Sequence, residues 1–151
     1  MSRRERAGTT PNREDYLERI YHLEKERGHA RVVDIAESLA FSPSSVTRML
    51  KRLADEGLVE YERYRAVVLT ERGRRLGERI AARHASLEAF LRMIGVEDEH
   101  TIWQDVEGIE HHVSPATMEA IRTLTAFFEH EPACYERLQA FRQQAGEASE
   151  P

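Results

Sequence analysis

The hexapeptide EGIEHH, residues 107–112, brings carboxylate and imidazole groups close together in the chain. Glu107, Glu110 and His111 stand at positions i, i+3 and i+4, so on a helix their side chains project from one face. Such groups are costly to bury unpaired among apolar neighbours, and a divalent cation would offset that cost. Oxygen ligands with imidazole nitrogen suit manganese, ferrous iron or zinc. An ordinary solvated acidic face is the alternative, and the hexapeptide alone cannot fill a coordination sphere.

A second acidic cluster lies near the start of the chain. Apolar residues at helical spacing predict a helix over residues 12–27, with Gly28 at its C-cap. Asp15 and Glu18 lie one turn apart on this helix, and His22 follows one turn later. Acidic residues are favoured near a helix N-terminus in any case, so a solvated face is again the alternative. His22 is interpreted as a partly exposed neighbour of this cluster.

A long helix is predicted from Glu71 to about Ile94, and His84 lies within it. A lone histidine on a helix is usually structural, so its role depends on whether acidic groups meet it. Gly95 ends this helix. The apolar stripes of the following helices predict core or a dimer surface. Those helices are expected over residues 99–112, from Pro115 onward, and from Pro132 to about Gln144.

Residues 32–57 have the pattern of a helix-turn-helix. A short helix over residues 32–39 is followed by a turn, by Ser42 as N-cap and by Pro43 at the first helical position. The second helix extends to about Glu56, and its exposed face combines small hydroxyl groups with basic side chains. Such a face suits base edges and phosphates. The helix residues predicted to contact DNA are Pro43, Ser44, Ser45, Thr47, Arg48, Lys51 and Arg52.

A β-hairpin is predicted directly after the second helix. Residues 58–61 alternate between apolar and polar, and residues 67–69 form an apolar run that begins with two β-branched valines. The tip between them has no glycine, so a longer loop is expected in place of a tight primed turn. A hairpin here would be a wing, and Arg63 and Arg65 are predicted to enter a minor groove or hold phosphates. For residues 32–57, the alternative to a DNA-binding helix-turn-helix is an ordinary αα-hairpin with a solvated basic face.

The charge distribution is asymmetric along the chain. Residues 1–75 carry 16 Lys and Arg against 13 Asp and Glu, whereas residues 76–151 carry 6 against 14. This suggests a polyanion partner for the first half and cations for the second. No apolar run approaches the roughly 18 residues that span a bilayer, and the basic start lacks the apolar segment of a secretion signal. The one cysteine cannot form an internal disulfide, so we expect a reducing cytoplasm.

Six segments of the chain follow one another in a recognisable order and spacing: TTPNREDYLERIY, HARVVDIAESL, PSSVTRMLKRL, YERYRAVVLTERG, RHASLEAFLRMIGV and DVEGIEHH. Through them the chain resembles, over residues 9–130, the manganese transport repressors of the diphtheria-toxin-repressor family of metalloregulators. The resemblance implies a mainly α protein, with a winged helix-turn-helix DNA-binding domain followed by a helical dimerisation and metal-binding domain. The expected ranges are 1–71 and 72–145, with 146–151 as a frayed tail.

The resemblance also implies a binuclear metal site in each subunit, with ligands from both domains and with bridging carboxylates. Asp15 bears on selectivity, because the iron-sensing relatives have methionine there and a hard oxygen ligand favours manganese. Mn²⁺ is the expected cofactor, and Fe²⁺, Zn²⁺, Co²⁺ and Cd²⁺ are ions that such a site can also bind in vitro. The implied ligands are Asp15, Glu18, His84, Glu107, Glu110 and His111.

The implied function is transcriptional repression controlled by manganese. Mn(II) binding is expected to order a homodimer for binding to a palindromic double-stranded DNA operator, and so to repress metal-uptake genes. No catalysis, membrane or organic cofactor is expected. Two alternatives remain from the residue types. One is a di-metal enzyme, although the Glu-x-x-His, HExxH and HxxEH signatures are missing. The other is a winged-helix regulator of an organic ligand, with solvated acidic faces.

Overall fold

The computed structural model describes residues 12–147, so the basic segment before them and residues 148–151 of the predicted frayed tail lie outside the described residues. The described part is mainly α, as predicted, with one small antiparallel sheet. Its elements are α1 (Arg13–Arg27), α2 (Val32–Leu39), α3 (Pro43–Asp55), β1 (Val59–Glu60), β2 (Val68–Leu69), α4 (Glu71–Ile94), α5 (Glu99–Ile109), α6 (Pro115–His130) and α7 (Pro132–Glu147).

Two compact units share the chain, and they meet in sequence between Ala82 and Arg83, within α4. The first unit holds α1 to α3, the sheet and residues 71–82. The second holds residues 83–94 of α4 and helices α5 to α7. The boundary between a DNA-binding domain (residues 1–71) and a dimerisation and metal-binding domain (residues 72–145) remains a prediction. No helix in residues 12–147 combines the length and the hydropathy that crossing a bilayer requires.

Local sequence signals set the ends of α1. The Asn12 side chain accepts hydrogen bonds from the backbone N–H groups of Glu14 and Asp15, and the Asp15 carboxylate accepts one from the Asn12 N–H at 2.6 Å. This reciprocal pair is a capping box, which satisfies N–H groups that a helix start leaves without partners. Gly28 ends the helix with φ 76°, a left-handed conformation that glycine adopts without steric cost.

Helices α2 and α3 form the predicted helix-turn-helix. Ala40 ends α2 in the left-handed region, and Ser42 starts α3 by accepting a hydrogen bond from the Ser45 N–H at 3.2 Å. Pro43 occupies the first turn, where its missing N–H costs nothing. The inward face of α3 packs into the core of the first unit, where Val46, Leu50 and Leu53 are buried with Leu17, Ile20, Leu23, Ile35, Leu58, Val67 and Leu69.

The hairpin follows α3 as predicted, with a long tip. Its register pairs Val59 with Leu69 and Glu60 with Val68, which leaves residues 61–67 between the strands. An isolated antiparallel bridge joins Ala30 to Val67 on the other edge, and the sequence did not predict it. Gly73 then allows the start of α4 to pack closely, because a Cβ there would overlap the carbonyl oxygen of Leu58.

The second unit has its own core of Leu87, Leu91, Ile102, Val106 and Met118. Helix α6 starts where Ser114 accepts a hydrogen bond from the Thr117 N–H, with Pro115 in the first turn, as the sequence predicts. Helix α7 continues to Glu147, three residues past the predicted end.

The prediction that α5 extends to residue 112 was wrong. The helix ends at Ile109, after which the His112 N–H donates to the carbonyl of Ile109 at 2.9 Å and the chain turns. The physical reason is the helix start that follows. Ser114 must be extended to cap α6, and a residue before proline is disfavoured in the helical region. Glu110 keeps helical dihedrals as the C-cap, and His111 lies in the turn.

Candidate metal centre and nucleic-acid interface

In the second unit, three of the predicted ligands come together around Glu110. Its Oε2 lies 3.4 Å from Nδ1 of His84, and its Oε1 lies 3.4 Å from Nε2 of His111. Glu110 is only 1% exposed, and it is the one fully buried charged side chain among the described residues. His84 and Glu110 are 26 positions apart in sequence, and they meet because α4 and the end of α5 pack on the same core.

Glu110 Oε2 accepts no hydrogen bond from the part of the chain that the structure describes. A buried carboxylate oxygen without a hydrogen bond is costly, and nearby imidazole nitrogens compensate it fully only when they are protonated. A divalent cation held by Glu110 and the two histidines would offset the cost. The donor set therefore fits a metal ion that prefers oxygen and imidazole ligands.

Glu88 is a neighbour of His84 that the sequence analysis missed. Its Oε1 lies 3.2 Å from Nε2 of His84, four residues earlier on α4, and Arg92 holds its other oxygen at 3.1 Å. A carboxylate that accepts the proton of one ring nitrogen leaves the lone pair on the other. Glu88 therefore favours the tautomer in which Nδ1 of His84 is the ligand atom. The i, i+4 spacing of the two residues was the signal available in the sequence.

Glu107, the remaining predicted ligand of this unit, lies on α5 one turn before Glu110 and is half-buried. Its placement keeps the predicted spacing of the acidic cluster, although the helix ends between the two residues. The second unit thus supplies two carboxylates and two imidazoles. Glu107, Glu110 and His111 lie at the end of α5 and in the turn after it, and His84 lies on α4.

In the first unit, Asp15 and Glu18 are half-buried on α1. One Asp15 oxygen accepts the capping hydrogen bond of Asn12, so this carboxylate has a defined orientation. Burial, and secondarily the negative charge of Asp15, raise the pKa of the neighbouring Tyr16 hydroxyl. Nε2 of His22 lies 3.6 Å from Oε1 of Glu18, so the histidine is a partly exposed neighbour of the cluster, as expected. These oxygens are the predicted metal ligands that the first unit supplies.

The predicted DNA-contacting face of α3 is exposed. Arg48, Lys51 and Arg52 point away from the core that Val46 and Leu50 join. The hydroxyl groups of Ser44 and Ser45 lie 3.0 and 2.9 Å from the hydroxyl of Ser42, which gathers small polar groups at the start of the helix. Pro43 is exposed and Thr47 is half-buried. The arrangement lets basic side chains reach a polyanion without disturbing the core.

The wing tip carries the two predicted arginines, and both are exposed. Arg65 pairs with Glu62 at 2.9 Å, and the Arg63 guanidinium lies 5.0 Å from the centre of the Tyr64 ring. Tyr64 has φ 67° and is 91% exposed. Tyr64 was not among the predicted DNA contacts, although an aromatic residue between two arginines at a hairpin tip was a visible signal in the sequence.

Comparisons with known proteins match both units. Residues 8–67 match the family described as iron dependent repressor, N-terminal DNA binding domain. Residues 70–139 match the family described as iron dependent repressor, metal binding and dimerisation domain. The chain is 52% identical over 125 residues to the HTH-type transcriptional regulator MntR of Bacillus subtilis (strain 168), which covers 83% of this chain and 87% of that protein.

Solved structures with the same fold include the manganese regulator SloR, at 31% identity and a TM-score of 0.67 over 79% of this chain. Another is a manganese-dependent transcriptional repressor in complex with manganese, at 29% identity and a TM-score of 0.69 over 77% of this chain. This chain spans about half the length of each, covering 55% and 53% of those chains.

Proposed function

We propose that this chain, which belongs to the family of iron-dependent repressors across both of its units, is a manganese-responsive transcriptional repressor. The observation that carries the proposal is the buried Glu110 carboxylate between His84 and His111, within the segment that matches the family's metal-binding domain. A repressor of this kind would act in the cytoplasm on genes for metal uptake. The proposal includes no catalytic step.

The family resemblance supports more than one ion, and the ligand sets are compatible with two. Glu110, Glu107, His84 and His111 supply four side chains, and Asp15 and Glu18 supply two more. Neither set satisfies the octahedral preference of manganese from side chains alone, and six side chains with bridging carboxylates suit two ions. Together with the family resemblance, this supports one binuclear site that uses both sets. The hard oxygens of Asp15 and the other carboxylates favour Mn²⁺, and Fe²⁺, Zn²⁺, Co²⁺ and Cd²⁺ are further candidates in vitro.

The site residues would couple metal to DNA binding through charge. Bound manganese would supply positive charge that compensates the negative charge of the clustered carboxylates. Without it, Glu107 and Glu110 repel each other and leave His84 and His111 to compensate a buried carboxylate, so several arrangements are close in free energy. When the repulsion is removed, the subset of arrangements that suits DNA gains population. Coupling of about 1 to 3 kcal/mol is typical for such a switch.

The proposed DNA contacts are the exposed bases of α3 and of the wing. On a homodimer, two α3 helices about one DNA turn apart would read a palindromic operator. Arg48 is placed to reach a base edge, whereas Lys51 and Arg52 are placed for phosphates. Exposed apolar side chains in the second unit, including Leu124 and Phe127, support a subunit interface there.

Metal titration followed by DNA binding tests the proposal. Loss of the free-ion EPR signal should report about two manganese ions per chain, the number that the shared carboxylates accommodate. A duplex is then selected from a random library with manganese-loaded protein, and its affinity is measured by fluorescence anisotropy with manganese and with chelator at fixed salt. We expect about 5- to 150-fold tighter binding with manganese. Equal affinity in both conditions, or metal-dependent turnover of a substrate, would contradict the proposal.

A further inference from the structure

Glu24 joins α1 to the wing through both of its carboxylate oxygens. Oε1 accepts a hydrogen bond from the backbone N–H of Leu69, in β2, at 2.7 Å. Oε2 accepts one from Nη1 of Arg74, on α4, at 2.8 Å. The Glu24 side chain is only 10% exposed, so these partners replace most of its water. Charge-assisted hydrogen bonds of this kind are stronger than neutral ones and have well-defined geometry.

The hydrogen bond to Leu69 takes the place of a missing backbone partner. Alternate residues of a strand direct their N–H groups to the same edge. On this edge of β2 the Val67 N–H donates to the carbonyl of Ala30 at 2.8 Å, and the bridge goes no further. The next N–H on the edge is that of Leu69, and the Glu24 carboxylate accepts it. The Glu24 side chain therefore adds one hydrogen bond along this edge of β2, and this bond attaches the wing to α1.

Helix α1 carries the proposed metal ligands on a different side. Glu24 lies nine residues after Asp15, which is two and a half turns of an α-helix, so the two side chains leave the helix in opposite directions. One side of α1 thus presents Asp15 and Glu18, and the opposite side holds the root of the wing. A rigid helix with a group bound on each side transmits its position from one to the other.

We propose that Glu24 is a positioning residue that fixes the wing to the ligand-bearing helix α1, so that the DNA contacts of Arg63 and Arg65 depend on it. This inference rests on the proposed function, in which the wing binds DNA. Glu24 itself would touch neither metal nor DNA. A purely stabilising ion pair is the competing explanation, and it would affect folding without affecting the wing selectively.

Amide hydrogen exchange tests the attachment without DNA or metal. In the Glu24→Ala variant of the full chain, the Leu69 amide should exchange at least about tenfold faster, because its acceptor is lost. The amides of Val67 and Thr70, whose acceptors are the carbonyls of Ala30 and Leu58, should change little. Glu24→Gln keeps an acceptor oxygen and should retain most of the protection. Glu26→Ala, at an exposed position of the same helix, is the charge-matched control.

A double-mutant cycle tests the role in DNA binding. With manganese present and the selected duplex as probe, Glu24→Ala should weaken binding about tenfold, and Arg65→Ala should weaken it several-fold on its own. In the Glu24→Ala background, Arg65→Ala should cause almost no further loss of affinity for the duplex, because an unattached wing already fails to place Arg65. The number of manganese ions bound should equal that of the wild type in every variant.

Two results would overturn the proposal. Losses that multiply in the double variant would show that the wing keeps its place without Glu24. Unchanged exchange at Leu69 in Glu24→Ala would show that the carboxylate does not hold β2. If Glu24→Ala fails to fold, Glu24→Leu, which keeps a similar volume but has no acceptor oxygen, replaces it in the cycle, and a loss there no larger than that of Glu26→Ala also overturns the proposal. A wild-type chain that binds no duplex would instead overturn the proposed function, and this inference with it.

Discussion

Glu110 illustrates what one residue can decide. Its carboxylate is fully buried, and its Oε2 accepts no hydrogen bond within residues 12–147. An aliphatic or amide side chain in the same space would be cheaper for the fold, because a buried charge needs full compensation. A position that retains such a charge therefore indicates a ligand, and the nearby imidazoles of His84 and His111 indicate a divalent metal.

We expect Glu110→Gln to separate metal binding from folding. The amide fills the same volume without the charge, so the free energy of unfolding of metal-free protein should stay the same or rise. Manganese affinity should fall by more than about 100-fold, since neighbours that merely orient a ligand already cost 10- to 100-fold. Thermal unfolding and the manganese EPR titration measure the two effects. Glu119→Gln, at an exposed position of α6, is the matched control. Loss of folding in the metal-free variant would make Glu110 structural.

Helix α3 shows how an element separates its two tasks. Its buried face is held by the core of the first unit, and its start is held by the Ser42 cap and Pro43. The exposed face is then free to carry side chains chosen for a partner. Because the backbone is fixed from behind, a substitution on the exposed face changes recognition with little effect on folding.

Arg48→Ala should lose sequence preference. If Arg48 reads a base, the selected duplex should lose about 1 to 3 kcal/mol of binding free energy while a scrambled duplex loses little. Lys51→Ala, on the same face, should weaken both duplexes alike and reduce the salt dependence. Anisotropy titrations at several salt concentrations distinguish the two patterns. An equal loss on both duplexes for Arg48→Ala would reassign it to phosphate contact.

At the N-terminus of α5, Asp98 makes the helix cap sensitive to acid. The hydrogen bonds from the Thr101 side chain and from its backbone N–H lower the pKa of Asp98 below its ordinary value of 3.8. A group with a lowered folded-state pKa stabilises the fold above its unfolded pKa, and this contribution is lost as the pH falls through the folded value.

The Asp98→Asn variant keeps a capping oxygen but cannot titrate, so it should lose less stability than the wild type below about pH 4. Unfolding in denaturant at pH 7 and at a series of lower pH values measures the difference. Parallel curves for the two proteins would show that Asp98 contributes nothing to the pH dependence.

Charged and exposed apolar side chains are distributed unevenly between the two halves of the chain. Basic side chains predominate in the first half, whereas acidic residues outnumber basic ones 14 to 6 after residue 75. The second unit also exposes large apolar side chains, with Leu124 and Phe127 on α6 and Phe141 on α7, the last 69% exposed. Apolar groups gathered at a surface usually mark an interface, so the half that holds four of the six candidate metal ligands is also the half suited to dimerisation.

The double variant Leu124→Gln/Phe127→Gln should weaken the dimer. Replacing two exposed apolar side chains removes contact area at the proposed interface, at roughly 1 to 3 kcal/mol for each side chain that the dimer buries. Sedimentation equilibrium should then show monomer at concentrations where the wild type is dimeric. Val33→Gln, an exposed apolar site on α2 in the first unit, is the control. A double variant that remains dimeric would place the interface elsewhere.

The sequence by itself determined the features that depend on near neighbours. Gly28 ends α1, Ser42 and Pro43 start α3, and the alternation after Leu58 predicts the hairpin, because caps, turns and side-chain periods are local properties of the chain. The residue types of the candidate metal ligands were visible for the same reason, and so was the family resemblance that the comparisons confirm.

Only the tertiary structure decided which distant residues meet. It placed Nδ1 of His84 beside Glu110, and Glu24 beside Leu69. Each outcome depends on how separate elements pack on a shared core, and many packings satisfy the same local pattern. The charge on Glu110 was evident from the sequence, whereas its burial, which makes that charge costly and points to a metal, followed from the fold.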